Sequence, residues 1–129
     1  MSVLLRELEG RQVLVYSSAS AGPFGGGTDG VVRAAGRVWL SLQQYDRVLV
    51  PLRTIRLIKV AGGGLTAQAA EGDLQEFLLG RTVQVTSSKG EANYTDTGTL
   101  EAFDDEWLRV RAGSAQLLFA VHNVTQLKI

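Results

Sequence analysis

Apolar and polar positions alternate with period two through most of this chain. Val13 and Val15 fall on one face of their segment, as do Val83 and Val85 of theirs, and the same holds for Leu40 with Leu42 and Leu108 with Val110. Alternation of this kind marks half-buried strands. It predicts five short strands over roughly 11–17, 29–35, 38–44, 47–51 and 54–60, and five more over roughly 81–87, 96–103, 106–112, 115–121 and 124–128. Two stretches follow helical spacing instead. Val3-Leu4-Leu5-Arg6-Glu7-Leu8 ends at Gly10, and Asp73-Leu74-Gln75-Glu76-Phe77-Leu78-Leu79 ends at Gly80. Asp73, with Glu76 three residues on, has the form of a capping box.

The two sets of strands are copies of one unit. Leu8 through Ser18 matches Leu78 through Ser88, Gly30-Val31-Val32 matches Gly98-Thr99-Leu100, and Val38-Trp39-Leu40-Ser41-Leu42 matches Glu106-Trp107-Leu108-Arg109-Val110. Val48-Leu49-Val50 then matches Leu117-Leu118-Phe119, and Ile55 through Val60 matches Val124 through Ile129. The offset drifts only between 70, 68 and 69 residues, so the gaps are short and fall in loops. The expected fold is all-β with short N-terminal helices: two tandem, small, bent five-stranded barrels of the SH3-like kind. Residues 1–60 form the first unit, 61–72 a linker whose Ala61-Gly62-Gly63-Gly64 start is flexible by composition, and 73–129 the second unit. A unit of this size is marginal by itself, and fusion or a ring of units would bury its exposed edges.

Composition narrows the field. At 129 residues and 45% hydrophobic, the chain is globular in character. No apolar run is long enough for a transmembrane helix, the first ten residues lack the apolar core of a secretion signal, and there is no cysteine for disulfides or thiolate metal sites. A cytoplasmic protein with no membrane partner and no cofactor is expected. Charge divides the halves: residues 1–60 carry eight Lys/Arg and four Asp/Glu, a net +4, and residues 61–129 carry five and nine, a net −4. Either each half presents a solvated charged face, or the unlike halves attract, within a chain or between chains.

The chemistry-bearing residues are few. His122 is the only histidine, with no nucleophile or second acid–base partner at a diagnostic spacing. Trp39 and Trp107 stand at equivalent positions, pointing away from the Leu40/Leu42 and Leu108/Val110 faces. They are either core residues covered by a helix or neighbouring unit, or platforms for a stacked base. Asp104-Asp105-Glu106 reads as a hairpin turn more readily than as a cation site. Gly22-Pro23-Phe24-Gly25-Gly26-Gly27-Thr28 lacks the Lys-Ser/Thr of a phosphate loop and reads as a long loop between the first two strands. Phe24, and Tyr94 in the equivalent loop of the second unit, are then contact candidates at the loop tips. Arg33, Arg47, Arg53, Arg56 and Lys59 supply the basic excess of the first unit. They either follow a phosphate backbone or pair with acidic residues of another unit.

The second unit carries two stretches that resemble the Sm-like proteins, particularly the Hfq-like bacterial RNA chaperones. Gly98-Thr99-Leu100-Glu101-Ala102-Phe103-Asp104 resembles the first signature, with its Gly, apolar residue and turn Asp. Phe119-Ala120-Val121-His122-Asn123-Val124 resembles the second, although Val121 stands where the family has Lys. The first unit has Gly36 at the position of Asp104, and Arg53-Thr54-Ile55 where the second has His122-Asn123-Val124. The resemblance implies a non-enzymatic tandem Sm-like protein that assembles through strand edges, with three chains giving a six-unit ring, and that binds single-stranded RNA or acts as an RNA-associated assembly factor. The candidate RNA-binding residues are His122, Asn123, Arg53, Thr54, Trp39, Trp107, Phe24 and Tyr94. A protein-interaction scaffold without nucleic acid, or a small-molecule or hydrolytic site around His122, are the alternatives.

Overall fold

The computed structural model describes residues 2–17, 27–89 and 92–129. Phe24 and most of the glycine-rich loop lie outside them. The chain is all-β. The strands are β1 Gln12–Ser17, β2 Thr28–Ala35, β3 Trp39–Gln43, β4 Arg47–Pro51 and β5 Ile55–Ala61, then β6 Thr82–Lys89, β7 Ala92–Phe103, β8 Trp107–Ala112, β9 Ala115–Ala120 and β10 Val124–Lys128. One four-residue helix, α1 (Val3–Arg6), precedes β1, and single 3-10 turns occupy Leu52–Thr54, Glu76–Leu78 and Val121–Asn123.

All ten strands join one antiparallel sheet in the order β10-β6-β7-β8-β9-β5-β1-β2-β3-β4. The halves of this order are the same path: β5-β1-β2-β3-β4 in the first unit corresponds to β10-β6-β7-β8-β9 in the second. The units meet where β9 pairs with β5, in the register Leu57↔Phe119, Ile58↔Leu118, Lys59↔Leu117. The outer edges are therefore β4 and β10, the counterparts of the two strands that meet inside.

The repeat extends to local irregularities. β2 and β7 each bulge at one residue, Arg33 and Glu101, and β5 and β10 each bulge at Arg56 and Thr125. Bulges bend a strand and increase its twist. Gly30 and Gly98 match for a steric reason: a Cβ at either would crowd the carbonyl of the facing strand, at Gln43 or Arg111.

The cores of the two units interlock. One apolar cluster joins Leu4, Leu5, Leu8, Val13, Val15, Ile55 and Ile58 of the first unit to Trp107, Leu118 and Ala120 of the second. The other, around Phe103, Leu108 and Phe119, takes in Leu57 of the first, with Tyr16 against it. The connecting segment is more than a tether. After a turn at Gly62–Gly64, Leu65 exchanges hydrogen bonds with the Gln116 side chain (2.8 and 3.0 Å), and Phe103 N donates to Ala69 O at 2.7 Å. A flexible composition is overridden here by backbone hydrogen bonds and by burial of Leu65 and Ala69.

A charged network fixes this strap. Arg109, buried, lies 3.2 Å from Glu7 and 3.3 Å from Glu101, and donates to Ala67 O at 2.9 Å. Glu101 also accepts from Arg111 (2.9 Å) and Gln116 (2.7 Å). Desolvation opposes ionisation of Glu101, but the hydrogen bonds from Gln116 and Arg111 and the charges of Arg111 and Arg109 outweigh it, and its pKa lies below the ordinary glutamate value. A carboxyl with a depressed folded pKa stabilises fully above its unfolded value and loses that contribution as pH falls through the folded one. The melting-temperature gap between the wild type and Glu101→Gln should therefore be open at pH 7 and close progressively through the acid range below ordinary glutamate titration. A gap independent of pH would contradict this assignment.

The second helical stretch is shorter than its sequence implies. Only Glu76–Leu78 turns, Gln75 rather than Asp73 stands at its N-cap, and no side chain caps it. Asp73 N instead donates to Asp105 Oδ1 at 3.2 Å, and the strap holds the preceding residues extended through the Glu71 N to Phe103 O bond. One turn is what remains. In the first unit Ser2 caps α1 by accepting from Leu5 N.

Candidate functional site

The β5 bulge makes the most unusual environment in the molecule. Along Ile55-Arg56-Leu57-Ile58, four consecutive residues are buried, and the bulged one is an arginine. Its guanidinium carbon lies 4.1 Å from the ring centroid of Tyr94 and 5.7 Å from that of Tyr16, within cation–π range of both. Nη1 donates to Ser87 Oγ at 2.8 Å, while Nε has no hydrogen-bond partner among the described residues although Arg56 is only 6% exposed. Burial pulls the Arg56 pKa below the usual arginine value, opposed by the nearby Asp96 and by Tyr94 and Tyr16. The guanidinium nonetheless stays charged at any physiological pH.

This arginine sits in a groove of about 380 Å³ across the junction of the units, lined by Tyr16, Arg56 and Lys59 from the first and by Tyr94, Asp96 and Leu117 from the second. The junction brings them together because β9 pairs with β5. β6 supplies Ser87, opposite Tyr94 in β7. Tyr94 is thus a strand residue, not a loop-tip residue: β7 begins at Ala92, four residues earlier than alternation indicates, and lifts the tyrosine onto the sheet. The residue remains 40% exposed.

The 3-10 turns adjoin the same junction. His122 Nε2 lies 3.0 Å from Arg53 O, and Asn123 Nδ2 donates to Ile55 O at 2.7 Å. A carbonyl can only accept, so the ring carries its proton on Nε2. Thr54 Oγ1 donates to Pro51 O at 2.7 Å. The repeat thereby places equivalent residues side by side, Arg53 of the first unit against His122 of the second. Four of the eight residues picked out by sequence, Arg53, Tyr94, His122 and Asn123, make contacts across this junction, while Thr54 bonds within its own turn.

The tryptophans do not join them. Trp107 is 3% exposed, buried with α1 and the strap in the core that spans both units. No base can stack there in this conformation. Trp39 is 48% exposed, on a separate face with Leu49. Asp104 forms the expected turn, its Oδ1 accepting from Glu106 N (2.8 Å) and Trp107 N (2.7 Å) and its Oδ2 from Ser2 Oγ (2.5 Å). Among the described residues no group of His, Asp and Glu is arranged to hold a metal ion.

Sequence reasoning counted Arg56 only as one of five basic residues. A charge inside the otherwise apolar run Ile55–Ile58, displaced from strict alternation, was the available signal. Comparison with protein-family models, curated proteins and solved structures found no match.

Proposed function

We propose that this chain is a tandem Sm-like protein that binds single-stranded RNA at the junction of its two units and assembles with further copies through its free strand edges. The observation that carries the RNA reading is Arg56: a buried cation between two tyrosines, with an unpartnered donor, in a groove that Lys59 also lines. Single-strand binding combines cationic groups that follow the backbone with aromatic faces that accept any base. Tyr94 offers a partly exposed ring, and Arg56 and Lys59 offer charge.

The assembly reading rests on topology. β9 and β5 pair inside the chain, and their counterparts β4 and β10 lie free at the two edges. Each edge is the mate of the other, so a head-to-tail contact repeats the internal one, and such contacts close into rings or extend as filaments.

Fluorescence anisotropy with a labelled single-stranded oligonucleotide at low salt tests the RNA reading. Binding is expected, weakening steeply as salt rises. Tyr94→Ala should reduce affinity on the order of tenfold, in keeping with about 1–3 kcal/mol for a base stacked on an aromatic ring. Arg56→Gln should reduce it at least as much. Absence of binding at low salt would leave a protein-interaction scaffold as the better account.

A further inference from the structure

The two units expose opposite amounts of one equivalent face. In the second unit Trp107, Leu118 and Ala120 are 0–3% exposed, in one core cluster with Leu4 and Leu5 of α1. α1 is held there by Ser2 Oγ to Asp104 and by Glu7 to Arg109. In the first unit the corresponding residues are Trp39, Leu49 and Pro51, and there Trp39 is 48% and Leu49 55% exposed, with Val38 beside them also exposed. Trp39 pairs with Pro51 and Ser41 with Leu49 across β3 and β4, so Trp39, Leu49 and Pro51 share one side of the sheet. The counterpart of α1 is the Asp73–Leu79 segment, and it too has an uncovered apolar side chain: Phe77, at 67%, stands where the first unit has Glu7.

We infer that the Trp39/Leu49 face receives the Asp73–Leu79 segment of a second copy of this chain, with Phe77 seated against Trp39. The occupant follows from the internal junction, which is a complete template for the contact. There the N-terminal segment of one unit covers the tryptophan face of the other, at the same time as β5 pairs with β9. Shifting both partners by the 69-residue repeat turns Ile58↔Leu118 into Leu127↔Leu49, and Lys59↔Leu117 into Lys128↔Val48, now between copies. At these two places the offsets are 70 and 68, so the Glu7–Arg109 contact becomes one of Phe77 with Ser41, which puts Phe77 beside Trp39 on the same side of β3. The two junctions then differ in chemistry. The internal one is locked by the Glu7–Arg109 ion pair, whereas between copies Phe77 and Ser41 take those places and the contact is aromatic. An apolar contact of this kind is reversible and hardly sensitive to salt, which suits a junction made between molecules rather than within one.

This inference rests on the edge-pairing reading above, and the two can be separated. Light scattering over a dilution series should give a wild-type mass above the 13.9 kDa of one chain. Phe77→Ser and Trp39→Ser, both at exposed positions, should keep the wild-type circular dichroism and each shift the dissociation midpoint tenfold or more to higher concentration. The double variant should shift it little beyond either single one, because the two side chains lose the same contact. The chain has no cysteine, so a mixture of Val48→Cys and Lys128→Cys chains reports edge pairing alone through an interchain disulfide. If that mixture cross-links while Phe77→Ser and Trp39→Ser dissociate at the wild-type concentration, the face contact is wrong and edge pairing stands. If the wild type is monomeric and the mixture does not cross-link, both fail.

Discussion

Trp107→Ala is expected to destabilise the chain by about 3–5 kcal/mol, the usual cost of emptying a buried large aromatic site. Trp39→Ala, at the equivalent position, should cost the monomer less than about 1 kcal/mol. The difference lies in what covers each ring. Trp107 shares one core cluster with Leu4 and Leu5 of α1, Leu65 and Ala69 of the strap, and Leu118 and Ala120 of β9, so its removal opens a cavity among three separate segments that cannot all collapse onto it. Trp39 is already 48% exposed. Urea denaturation at a concentration below any self-association reads both values, and melting temperature should fall in the same order. For a domain whose total stability is about 5–15 kcal/mol, the Trp107 variant would be close to unfolding at elevated temperature. Equal losses at the two positions would mean that both rings are core residues in solution and would remove the asymmetry on which the inter-copy contact is built.

That asymmetry also marks the boundary of what the sequence discloses. The ten strands were legible because period-two alternation is a local signal, and the duplication doubled it: β1 to β5 and β6 to β10 fall within a residue or two of their expected limits, except at the start of β7. Topology was not legible in the local pattern. The strand-to-strand order and the β9–β5 junction depend on pairing between residues about sixty apart, which no local pattern encodes. The helices were overstated for the complementary reason. Asp73 has the residue type of an N-cap, but the carboxylate of Asp105 and the strap's backbone bonds decide how the segment runs. The same holds for Arg56. Its neighbours Tyr16, Ser87 and Tyr94 come from three other strands, and the bulge that aims it at them arises from the pairing of β1 with β5. Trp39 and Trp107 have the same local pattern, and only the position of α1 separates them.

Arg109→Ala is the second large effect, and it tests whether the units are held to each other by charge as well as by β9–β5 pairing. Removing one member of a buried ion pair costs about 3–5 kcal/mol because the partner is left with an uncompensated charge. The expected loss here is near the lower end, about 3 kcal/mol, for a specific reason. Glu101 keeps Arg111 and Gln116, and Glu7 keeps the Thr66 and Ala67 amides, at 2.6 and 2.9 Å. Both carboxylates are also partly solvated. What disappears is the direct link between the two carboxylates: Arg109 joins Glu7, which caps the end of α1, to Glu101 of β7, and donates to Ala67 O of the strap. The loss should therefore be regional. Hydrogen exchange should accelerate at the Leu65, Thr66 and Ala67 amides before it does in β1 or β6, and Arg109→Lys, which keeps the charge but not the planar fork, should fall between alanine and wild type. Uniform acceleration across both units would show the network to be an ordinary contributor to global stability. The first unit has Ser41 at the corresponding place and, among the described residues, no such network, so the fold does not demand it. Its presence only where two units are covalently joined fits a device that fixes the internal junction permanently and leaves the junction between copies free to open.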